Sequence, residues 1–218
     1  TKNRAEFVSM LFSRRKPTTL RSDATVAELF AAFGALSSDE ALYKENLKAI
    51  QDRLTRVHHL PLSETDLSGI EYAYRAFYSR GFAVRFSPTY DSLMVETDST
   101  GVARGYLANE ASFAIVKDIE SRNLIVPVVG DFAGPKALRA IGTYLKDHSA
   151  IVSAFYLSNV EQYLYSQGKW MAFCRNVSTL PLESSSLFIR ASAGRGLGFG
   201  VGFVTTLSNI LSDIQNCD

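Results

Sequence analysis

Residues 124–163 read LIVPVVGDFAGPKALRAIGTYLKDHSAIVSAFYLSNVEQY, and this stretch sets the expected fold. Residues 124–129 are apolar without alternation, the pattern of a strand buried on both faces, and Gly130 and Asp131 follow as a turn. Pro135 suits a first helical position, and Leu138, Ile141, Tyr144 and Leu145 recur at helical spacing until His148 and Ser149. Residues 151–157 form a second β-branched and aromatic run that closes at Ser158 and Asn159, before a helical segment opening at Glu161. Strand, helix, strand in this order predicts two parallel strands joined by a right-handed crossover. Ligands of such sheets sit beyond the carboxyl ends of the strands, which here are Gly130 with Asp131 and Ser158 with Asn159.

The chain has 218 residues, 46% of them hydrophobic, enough for one large domain or one domain with a helical extension. Lys and Arg number 23 against 22 Asp and Glu, so no bulk charge points to nucleic acid or to an anionic membrane. Cys174 and Cys217 lie far apart without CxxC spacing, which fits a reducing compartment and argues against a disulfide framework or a thiolate metal site. Residues 1–15 carry no secretory signal, and residues 196–211 are too short and weakly apolar to span a membrane, so a cytoplasmic location is expected.

Upstream of the central stretch the pattern is helical. Phe7, Val8, Leu11 and Phe12 share one side of a first helix that Arg14, Arg15, Lys16 and Pro17 end; the basic triplet reads as a solvated helix terminus or as a phosphate contact. Ser22 or Asp23 caps a second, with Val26, Leu29, Phe30 and Phe33 as its stripe, and Ser38 and Asp39 cap a third facing inward through Leu42, Leu47, Ile50 and Leu54. His58 and His59 are adjacent and have no partner at metal-ligand spacing, so no metal is expected. Tyr72, Tyr74, Phe77 and Tyr78 on the next helix pack into a core or interface, or line a base-stacking surface; one nearby arginine, Arg75, leaves nucleic acid unexpected. Phe82, Val84 and Phe86 alternate as a short strand, residues 89–97 read as a helix, and Asn109 caps another over 110–121. Tyr106 and Glu110 read as a solvated loop or as the wall of a pocket.

Downstream, helix continues to about Val177 with a break near Gly168, and Trp170, Phe173 and Val177 face inward. SLFIRA, 186–191, is a third strand, and 203–214 read as a final helix. Gly194, Gly196, Gly198, Gly200 and Gly202 alternate too strictly for a GxGxxG dinucleotide loop and read as a flexible connection or a weakened edge strand. No Ser-His-Asp arrangement, GxSxG elbow or Walker motif is present.

The succession VVGDF, helix, IVSAFYLSNVEQYL, helix, SLFIRA resembles strands three to five of a class I S-adenosylmethionine-dependent methyltransferase. More closely, RAEFVSMLFSR, SRNLIVPVVGDFAGPKALRAIGTYL and FYLSNVEQYL resemble a family of uncharacterised bacterial proteins with a methyltransferase-like fold. The resemblance implies an α/β, Rossmann-like, mostly parallel sheet flanked by helices and incomplete at its N-terminus, with 1–110 a helical segment or insertion and 111–218 the C-terminal part. It implies S-adenosylmethionine as cofactor, with Gly130, Asp131, Phe132, Ser158 and Asn159 bordering it, and a small-molecule or protein substrate that the sequence does not identify. Asp131 and Asn159 read equally as ordinary helix-entrance acceptors. The glycine-rich loop and the acidic residue that such enzymes carry on strands one and two have no counterpart here. The expectation is therefore a natural protein longer at its amino end, and a chain that does not hold the whole cofactor alone. Methyl transfer by the longer form stands beside a non-catalytic ligand-binding or interaction scaffold.

Overall fold

Short polar side chains open most of the helices, each accepting a backbone N–H that the first turn leaves without an intrahelical partner. The structure is a computed structural model that describes residues 1–84, 88–195, 201–215 and 217. It divides into two compact units, Thr1–Ile125 and Val126–Asp218.

In the first unit Asn3 caps α1 (Arg4–Phe12) and Asp39 caps α3 (Glu40–Asp52). Thr25 and Glu28 form a capping box on α2 (Val26–Gly34), and Ser63 and Asp66 form one on α4 (Glu64–Arg80). The cap of α2 is thus Thr25 rather than Ser22 or Asp23. Thr89 caps α5 (Tyr90–Val95), and Asn109 caps α6 (Glu110–Ser121) as the sequence indicates. Val8, Phe12, Leu29, Phe30, Phe33 and Phe113 make the core. The inward side of α3 differs from the leucine stripe. Its buried residue is Tyr43, whose ring stacks on Tyr74 at 5.2 Å and on Tyr78 at 4.5 Å. The expected strand through Phe82 and Val84 is instead a 3-10 turn, Gly81–Val84, and residues 85–87, with Phe86, lie outside the described residues. Aromatic packing overrides the alternation: the Phe82 ring meets Phe12 at 4.8 Å and Phe30 at 5.1 Å edge-on. Arg14 of the basic triplet covers the same ring and donates to the Phe33 carbonyl at 2.7 Å, closing the end of α2.

The second unit holds α7 (Ala137–Asp147), β1 (Ala154–Ser158), α8 (Val160–Ser166), α9 (Trp170–Val177), β2 (Leu187–Arg195), β3 (Val201–Asn209) and α10 (Ile210–Gln215). Its sheet has order β1-β2-β3, with β1 parallel to β2 and β2 antiparallel to β3. This corrects the expected Rossmann-like, mostly parallel sheet: the described residues are mainly helical with one small mixed sheet. Residues 124–129 form no strand. Val126, Val128 and Val129 are exposed, and Pro127 has no N–H to give a ladder. The strand-helix-strand unit lies one step further on, from β1 through α8 and α9 to β2. The expected last helix, 203–214, is strand as far as Asn209, because Val204, Thr205 and Thr206 suit pairing with β2. Of the glycine run, Gly194 and Gly202 pair across β2 and β3, while 196–200 lie outside the described residues.

Leu157, Leu164, Phe173, Val177, Phe188 and Ile210 form the core of this unit. Cys174 and Cys217, expected to be free thiols, are instead joined by a disulfide with Cα atoms 6.3 Å apart. The bond ties the chain beyond α10 to α9, a closure that sequence spacing could not reveal. Cys217→Ser is expected to lower unfolding stability by about 2–4 kcal/mol under oxidising conditions. An unchanged urea midpoint would contradict a stabilising bond. Among the described residues no helix is long and apolar enough to cross a membrane.

Candidate functional site

The turn after residue 129 is shaped by backbone constraints before any ligand is considered. The Asp131 carboxylate accepts the Ala133 N–H at 2.9 Å, and the Asp131 carbonyl accepts the Gly134 N–H at 3.0 Å. A Cβ on Gly130 would fall 2.3 Å from the Ala137 Cβ, which leaves no room for a side chain, and one on Gly134 would fall 3.1 Å from the Asp131 carbonyl oxygen, a tight contact that the turn must ease by a few tenths of an ångström. Phe132 anchors the turn on the core, its ring 5.7 Å from Phe155 and 6.4 Å from Phe173.

Against this turn lies an open hollow of about 270 Å³. Gly130, Asp131 and Phe132 form one wall; Val160, Tyr163, Leu164 and Gln167 of the α8 segment form the other, with Lys169 at the rim. Lys169 Nζ donates to Asp131 Oδ2 at 3.0 Å, but both side chains are about half exposed, so the pair adds little stability and opens readily to a competing donor. The Ala133 N–H, then Lys169, hold the Asp131 carboxyl below the ordinary aspartate range. A lowered folded value means that the carboxylate's contribution to the turn is fully present above the unfolded value of about 3.9 and is lost as pH falls through the folded one. The Ala133 amide resonance is therefore expected to titrate with a midpoint below that of a free aspartate; a midpoint at or above it would count against the contact.

Three of the five expected residues, Gly130, Asp131 and Phe132, thus share one hollow. Ser158 and Asn159 are not among its lining residues. Ser158 adopts the left-handed conformation, φ 49, turning the chain from β1 into α8, and Asn159 makes no side-chain cap bond. Tyr106 and Glu110 serve the first unit: the Tyr106 and Tyr90 hydroxyls pair, and Glu110 receives Arg4. His58 and His59 are exposed, and among the described residues no three His, Cys, Asp or Glu side chains are placed to share a metal ion.

A second polar cluster escaped the sequence reading. Arg190 of β2 donates to both oxygens of Glu161, at 2.9 and 2.5 Å, and to Asp213 Oδ2 at 3.0 Å. Glu161 first, then Asp213, raise the hold of Arg190 on its proton, against the opposing effect of burial. The available signal was an arginine inside the apolar strand SLFIRA, a cation that requires a carboxylate partner. In the sequence Glu161 marks only the opening of a helical segment. Buried Asn176, by contrast, carried no signal in the sequence.

A family model described as a domain of unknown function, DUF7790, matches residues 28–209. No curated protein matches the chain. The match supports an uncharacterised family and brings no methyltransferase family with it. Since it spans most of the sequence, the chain belongs to the DUF7790 family of domains of unknown function.

Proposed function

We propose that the second unit is a non-catalytic ligand-binding scaffold whose hollow beside the 130–132 turn takes a nucleoside-sized fragment, adenosine being the probe of choice. The observation that carries the reading is the pairing of a solvent-reachable carboxylate, Asp131, with the apolar and aromatic wall of Val160, Tyr163 and Leu164. A carboxylate accepts hydrogen bonds from a base amine or a ribose diol, and an apolar wall covers the base. The hollow, about 270 Å³, lies just below the roughly 300–1,000 Å³ usual for small-molecule sites, which favours a fragment over an extended cofactor. Methyl transfer would need a sulfonium carbon and an acceptor held in line by a second set of positioning groups beside those of this hollow.

Calorimetric titration of adenosine and of S-adenosylmethionine tests the reading. Adenosine is expected to bind in the high-micromolar to millimolar range, with S-adenosylmethionine no tighter, and Asp131→Ala is expected to abolish both signals. S-adenosylmethionine binding a hundredfold tighter than adenosine would restore the cofactor reading, and absence of binding by either would remove the ligand.

A further inference from the structure

We infer that Asn176 and Arg139 form a clamp that positions the 130–134 turn, Asn176 acting directly on the backbone and Arg139 acting through it. Asn176 lies on α9, and its residue surface is 1% exposed. Its Nδ2 donates to the Phe132 carbonyl at 2.9 Å and to the Gly134 carbonyl at 2.8 Å, across more than forty residues of sequence. Its Oδ1 accepts from Arg139 Nε at 2.9 Å. The side-chain amide therefore spends both N–H groups on one turn and is itself oriented by a third element.

That division of labour makes Arg139 an orientation lock. An amide side chain rotated by half a turn would present its oxygen to two carbonyl oxygens, and a donor fixed on the Oδ1 side excludes that state. Arg139 is exposed at the surface of α7, and its bond to Asn176 is the contact by which it acts on the turn. The two carbonyls held by Asn176 flank Ala133, whose N–H completes the turn on the Asp131 carboxylate. Asp131 is thereby held in place from both sides of the loop, from its own turn and from α9. Ready-made placement of this kind lowers the ordering cost of binding. The inference rests on the proposed ligand site for its consequence, but its geometry stands without a ligand.

The test uses the whole chain and two readouts. Asn176→Asp keeps shape and the acceptor for Arg139 but replaces both donors; Arg139→Met keeps Asn176 and removes the lock. Hydrogen exchange of the Ala133 and Gly134 amides is expected to rise at least tenfold in Asn176→Asp and about threefold in Arg139→Met, relative to the amides of α7 and β1. Arg139→Lys, which retains one donor, is expected to restore most of the protection. Adenosine affinity is expected to fall by the same order as the exchange changes in Asn176→Asp and Arg139→Met, and to be mostly restored in Arg139→Lys. Unchanged turn exchange in Arg139→Met, a surface change that leaves the core intact, would overturn the clamp. Faster turn exchange without any adenosine binding by the unaltered protein would support the clamp and remove the ligand reading.

Discussion

Replacing Phe173 by alanine is expected to destabilise the second unit by about 3–5 kcal/mol, the usual cost of deleting a buried phenylalanine from a packed core. Phe173 is fully buried, and its ring lies 5.3 Å from Trp170, 6.1 Å from Phe155, 6.3 Å from Phe188 and 6.4 Å from Phe132. It joins α9 to β1, β2 and the 130–134 turn at once, so the void left by truncation has no single neighbour able to fill it. Phe173→Leu retains most of the volume and is expected to cost clearly less. Trp170 is the chain's one tryptophan, so urea unfolding followed by its fluorescence reads this unit directly. Equal midpoints for the alanine and leucine variants would show that the ring packing does not hold the unit together.

Arg4→Met is expected to cost the first unit about 3–5 kcal/mol, because several carbonyls lose their donor at about 1–3 kcal/mol each. The arginine is 3% exposed and has every arm of its guanidinium engaged. Nε pairs with Glu110 at 3.0 Å, Nη1 donates to the carbonyls of Leu107 and Ala108 at 2.9 and 3.1 Å, and Nη2 donates to that of Ala24 at 2.8 Å. Glu110 is 41% exposed and can turn to water, so most of the cost falls on the carbonyls left without a donor. Lysine does not substitute, because one ammonium cannot reproduce the planar fork that meets three segments together. Amide exchange in α1, α2 and α6 measures the effect. Protection equal to that of the unaltered chain would mean that these segments are held by apolar packing alone.

The parts of the fold that were legible in the sequence are those governed by neighbouring residues. The apolar stripe of Val26, Leu29, Phe30 and Phe33, the caps Asp39 and Asn109, and the break at Gly168 each depend on a few adjacent positions, and each is found in the structure. Strands depend on partners far away. The run 124–129 has the composition of a buried strand, but among the described residues no ladder accepts it, while 201–209 has weaker credentials and pairs along its whole length with β2. A local pattern specifies which residues can pair, and the sheet decides which of them do.

The site divides in the same way. Gly130 and Asp131 announced a turn, and the turn is there; its lining by Tyr163 and Lys169 depends on where α8 comes to rest. Ser158 and Asn159 lie at a strand end, with Ser158 left-handed, and neither is among the hollow's lining residues. Neither the Cys174–Cys217 bond nor the reach of Asn176 to the 132–134 backbone follows from spacing, since each joins groups about forty residues apart.

The most direct test of the account is a titration of isotopically labelled chain with adenosine, followed residue by residue through amide chemical shifts. The predicted result is saturable movement confined to residues 130–134 and to Tyr163, Leu164, Gln167 and Lys169, absent in Asp131→Ala. Saturable movement centred on any other surface, or none at millimolar adenosine with the turn amides still protected, would contradict the claim that this turn is a ligand site.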